Sequence, residues 1–139
     1  METIQESDLS VSDLYAEAVL EAERHKWIES QKSGYDLGQK AINDWYEVHW
    51  HLYCRSKRME HVQGICRWNY LGGNDFGLIR DLIESNDLLL DRILDRVLVG
   101  YENLDLINWS LDWGLPQNRV LAILSQLDVN RARLEPVLA

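Results

Sequence analysis

Residues 49–66 hold the densest set of side chains able to do chemistry: His49, His51, Cys54, His61 and Cys66. Imidazole nitrogen and thiolate sulfur are the ligands that zinc takes in tetrahedral sets of four. On a helix, Glu47, His51 and Cys54 share a face, and His51 with Cys54 three residues on could chelate one ion. His61 lies ten residues past His51, about 15 Å up the axis, and His49 points about 200° away from His51. A tetrahedral site needs two further ligands, and the sequence has no second His or Cys pair to supply them. The Glu-x-x-His pairs of a carboxylate-bridged di-iron site are absent as well. No metal or other cofactor is therefore expected, with His51 and Cys54 as the alternative. No phosphate loop or nucleophile elbow occurs, and Asn74-Asp75-Phe76-Gly77 lacks the further acids of a calcium loop. An enzyme would have to assemble its site from distant residues, and no catalytic set is assigned.

Two other constellations are worth weighing. His25 lies nine residues before Gly34, and Asp44 lies eight after Asp36. Counted along two antiparallel helices joined at that turn, the two reach a similar depth, about 12–14 Å. They are expected to touch as a structural polar pair, directly or through one water, the carboxylate fixing the imidazole tautomer. The second constellation is Leu106 to Leu124, which resembles a helix-turn-helix within residues 105–128: small Ser110, Gly114 in the turn, then Val120 and Ile123. Gln117, Asn118 and Arg119 open its second helix, where base contacts are made. Asp105 and Asp112 on the first helix, and the lack of a basic flank, count against a nucleic-acid partner.

Charge and composition set the background. The 139 residues carry 14 Lys and Arg against 23 Asp and Glu, a net charge of -9, and 46% are apolar. Residues 1–23 hold seven acids and no base, residues 24–67 eight bases and five acids, and residues 68–112 nine acids and three bases. Nucleic-acid affinity rests on clustered cations, which this chain lacks. No apolar run is long enough to span a membrane, and the acidic start has no signal-peptide character, so a cytoplasmic protein with free thiols is expected.

Spacing of 3.6 residues recurs throughout and period two is almost absent. The expected fold is all-α, one compact domain of about five to seven helices around a long central helix. Residues 1–9 read as a flexible acidic tail and 10–139 as the helical domain. Ser10 reads as an N-cap, with Asp13 three residues on, and Gly34 as the end of the first helix. The central helix runs from about Leu37 to Gln63 and ends at Gly64. Shorter helices follow at about 76–85, 87–99, 102–113 and 116–128, with one more turn at 130–134. Trp45, Val48 and Leu52 are assigned to the main core.

The stretch His25-Lys26-Trp27-Ile28-Glu29-Ser30, with Gly34, Asp36, Gly38, Ala41, Asp44, Trp45 and His49, carries a spaced pattern across helix, turn and helix. It resembles an element of uncharacterised bacterial proteins grouped as a domain of unknown function. Gln31 stands where a Glu is usual. The resemblance covers about a fifth of the chain and implies a bacterial cytoplasmic origin and no known activity.

These readings point to a non-enzymatic regulatory or adaptor protein that acts through contacts with another protein. Aromatics and Arg dominate such interfaces. The expected surface is the basic middle segment, Arg55, Lys57 and Arg58, with Tyr53 or Trp68 as the anchor.

Overall fold

The computed structural model describes residues 10–137, and the tail expected over 1–9 lies outside the described residues. Six α-helices fill them: α1 Leu14–Ser33, α2 Gln39–Gln63, α3 Arg80–Glu84, α4 Leu88–Leu98, α5 Asn103–Asp112 and α6 Gln117–Leu127. Short 3₁₀ turns occupy Gly73–Asp75 and Val129–Ala132. The all-α expectation holds, and no described helix is long and apolar enough to cross a membrane.

Helix α1 starts later than the sequence suggests, because Asp13 rather than Ser10 is the N-cap. Its carboxylate accepts from the amides of Tyr15 and Ala16 and satisfies two donors that a helix start leaves free. Ser12 is instead paired in a short bridge with Trp68. The α1–α2 turn explains the spaced Ser-Gly-Asp-Gly pattern. Gly34 (φ 80°) caps α1 in the left-handed region, and Gly38 (φ 65°) precedes α2. Neither position is crowded, so backbone conformation and not space calls for glycine there. Ser30 Oγ accepts from the Leu37 amide at 3.0 Å, and Asp36 Oδ1 from the Gly38 amide at 2.9 Å. The motif is the set of bonds that closes the hairpin.

Helix α2 is central because it carries a core on each of two sides. One cluster joins Leu14, Ala18 and Ala22 of α1 to Trp45, Tyr46, Trp50 and Cys54 of α2, closed by Trp68, Leu71 and Ala132. The other joins Met59 and Val62 to the apolar faces of α4, α5 and α6, among them Leu90, Ile93, Leu106, Val120 and Leu127. The C-terminal helices thus cover only the second half of α2. The assignment of Val48 and Leu52 to the core is corrected: they stand 67% and 38% exposed, Leu52 at the edge of that cover beside Gly100 and Val48 one turn away from it, while Trp45 is buried as expected.

Candidate functional site

The basic patch expected on α2 does not exist as a surface. Arg55 and Arg58 are fully buried. Arg58 donates Nε to Leu127 O (2.9 Å) and Nη1 to Leu71 O (2.6 Å) and Asp75 Oδ2 (2.9 Å), tying α2 to the end of α6 and to the 71–75 loop. Arg55 donates to Tyr101 O (2.9 Å) and Glu102 Oε1 (2.8 Å). Glu102 also takes Arg133 at 2.7 Å and faces His51 Nε2 at 3.3 Å. Burial alone would raise the Glu102 carboxyl, but the Arg55 hydrogen bond and the charges of Arg55 and Arg133 outweigh it and hold it below its ordinary value. Lys57 lies between the rings of Tyr53 (5.4 Å) and Trp68 (5.0 Å), near Glu60. Trp68 is buried and donates Nε1 to Glu60 at 2.9 Å, so it cannot anchor a partner. A guanidinium can be buried when its donors meet carbonyls and a carboxylate; Arg58 meets this through Nε and Nη1, and Arg55 through its two Nη atoms, its Nε having no partner.

His51 and Cys54 do not converge either. His51 turns to Glu102, while Cys54 is buried in the aromatic cluster, where burial pushes its thiol up to about 12. Among the described residues, no group of three His, Cys, Asp or Glu is placed to hold a metal ion. Two of the residues expected to open a DNA-reading helix are held by partners within the chain, Arg119 at the surface. Gln117 donates to Ser110 Oγ (2.9 Å) and Leu115 O (3.2 Å), and Arg119 pairs with Asp87, the N-cap of α4. Asn118 is exposed.

His25 meets His49 in place of Asp44. The two imidazoles lie edge to face with ring centres 5.4 Å apart, and no hydrogen bond or ion pair joins His25 to Asp44. The depth count explains the correction. Helix α2 begins at Gln39, so Asp44 sits five residues in, about 7.5 Å, while His25 sits eight residues from the end of α1, about 12 Å. His49, ten residues in, is the better match.

The two imidazoles line a groove between α1 and α2 of about 410 Å³. Trp45 and Tyr53 also line it, and Glu21, Arg24, Ile28 and Leu52 complete its walls. Ile28 and Leu52 are each more than a third exposed, and Val48 stands one turn from Leu52. Tyr53 donates its hydroxyl to Leu14 O at 2.8 Å. Burial, then Cys54 and the acids Glu17, Glu21 and Glu60, push its phenol up. The groove offers apolar walls, two imidazole rings able to accept or donate, and at its rim Glu21 paired with Arg24 at 2.8 Å. It offers no activated nucleophile. Comparison of the chain with family models, curated proteins and solved structures gives no match.

Proposed function

We propose that this chain is a non-enzymatic regulatory or adaptor protein of the bacterial cytoplasm, whose α1–α2 groove receives a basic amphipathic helix from another protein. The observation that carries the reading is the half-covered state of α2. From Arg55 onward it is flanked on both sides, while at Val48 and Leu52 an apolar strip stands open beside the groove. A helix laid there would bury Ile28, Val48 and Leu52 as α4–α6 bury Met59 and Val62. The occupant's charge follows from exposed Glu17 on α1 and the net charge of -9, with Glu21 at the groove rim shared with Arg24. The two free cysteines suit a reducing compartment.

The test is charge reversal on the exposed rim. Glu17→Lys with Glu21→Lys should abolish capture of the partner, and Leu52→Glu should do the same, with the melting temperature held within a few degrees. Capture that survives both variants would overturn the reading.

A further inference from the structure

A second cavity, of about 200 Å³, lies on the far part of the molecule between α4 and α5. Arg92 and Arg96, one helical turn apart on α4, and Trp109 and Trp113, at the end of α5, make its walls. The Arg96 guanidinium lies over the Trp109 ring, 3.9 Å from its centre, and Nη1 donates to the Arg92 carbonyl at 3.0 Å. Two buried donors here have no acceptor: Arg96 Nε and Trp109 Nε1. Buried donors are normally paired, so two orphans on residues that line one cavity mark a place where an acceptor belongs. Trp113 is 69% exposed, so the mouth of the cavity is an uncovered indole.

We propose that this cavity binds an aromatic carboxylate. The walls are almost wholly apolar, and the volume suits one ring, since an apolar cavity of about 150 Å³ takes up benzene. The carboxylate oxygens accept from Arg96 and from Trp109 Nε1, and Arg92 adds charge at the rim. Both orphan nitrogens are closed off from solvent, so Arg96 swings off Trp109 as the ligand enters. Little holds it in place, for its contacts are the stack and one bond within its own helix. A single negative charge fits and a polyanion does not. Asp91 and Asp95 alternate with the arginines along α4, and Asp112 precedes Trp113. The proposal is independent of the α1–α2 groove, which lies on other helices.

The experiment is a titration of ¹⁵N-labelled full-length protein, following the indole N–H signals of Trp109 and Trp113. Phenylacetate represents a free acid, and N-acetyl-phenylalanine represents a peptide C-terminus. At about 1 mM, a fair affinity for ligands this small, either should move the Trp109 signal. Phenylacetamide, which lacks the charge, and acetate, which lacks the ring, should bind about tenfold more weakly or worse. Arg96→Gln and the exposed Trp113→Ala should each weaken binding by about tenfold with the fold intact. Tighter binding of acetyl-phenylalanine assigns the site to a peptide terminus, and tighter binding of phenylacetate to a free acid. A Trp109 signal unmoved by both acids, or moved equally by phenylacetamide or acetate, would overturn the proposal.

Discussion

Replacing Arg58 by Met should unfasten the molecule at its centre. Arg58 is fully buried and makes three hydrogen bonds of 2.9 Å or less, two to main-chain carbonyls and one to the Asp75 carboxylate. Methionine fills much of the volume and removes every donor. Leu71 O and Leu127 O are then left without that donor, and Asp75 keeps only the longer contact with Arg131 at 3.7 Å. Breaking a buried pair from one side costs about 3–5 kcal/mol, because the surviving partner stays desolvated. Unfolding entropy near 2.1 cal/mol/K per residue gives about 0.3 kcal/mol/K for 139 residues. A 4 kcal/mol loss then lowers the melting temperature by about 14 °C. Arg58→Lys keeps the charge but loses the planar fork, so it should still lose about 2 kcal/mol or more. Adding Asp75→Asn to Arg58→Met should cost less than the two single changes summed, since the pair is shared. Urea unfolding followed by tryptophan fluorescence measures all three. A loss below about 1 kcal/mol for Arg58→Met would refute the claim that this arginine staples α2 to α6 and the 71–75 loop.

Trp45 is buried beside Tyr46, Trp50 and Tyr53, so Trp45→Ala should cost about 3–5 kcal/mol, while Val48→Ala should stay within about 0.5 kcal/mol; urea midpoints check both. His61 accepts the Trp68 amide on Nδ1 (3.0 Å) and lies 2.6 Å from Gly72 O through Nε2, and burial lowers its pKa below 6.5, the Arg58 and Arg67 charges adding to the shift and the Gly72 bond opposing it. The unfolded chain therefore takes up this proton first. Stability should hold above about pH 6.5 and fall below it, by at most about 1.4 kcal/mol per pH unit for one proton, and His61→Gln should flatten that limb of a pH series of urea melts. Cys54, with its thiol raised to about 12 by burial, should resist a thiol reagent at pH 8 until the protein unfolds, while partly buried Cys66 reacts first; mass spectrometry of the modified peptides reads the order.

Helix ends were the most legible feature because they are local. Gly34 and Gly64 close α1 and α2 in the left-handed region, as glycine after a periodic run implies. Asp87 caps α4, and α6 follows Pro116. The two arginines went the other way. A charged side chain reads as exposed until its partners are known, and those partners are main-chain carbonyls far along the chain. One signal was present: Arg55 and Arg58 each stand four residues before an apolar core position, Met59 and Val62, so they continue the buried stripes of α2. The His25–His49 contact depended on where α2 begins: counted from Gln39, Asp44 is too shallow, and His49 comes nearer the depth of His25. Val48 and Leu52 show a limit of periodicity. It tells which face is apolar, but not how far along a helix its neighbours extend.

The central claim is that the groove between α1 and α2 takes a basic helix, and the most direct measurement places a benzophenone cross-linker at Leu52 in the native cell, with the same group at exposed Leu104 as control. Sequencing of the cross-linked peptide should return a Lys- and Arg-rich amphipathic segment from a single partner at Leu52, not at Leu104, and lost when Glu17 and Glu21 are reversed to Lys. An acidic or extended segment at Leu52, or the same product from both positions, would contradict the account.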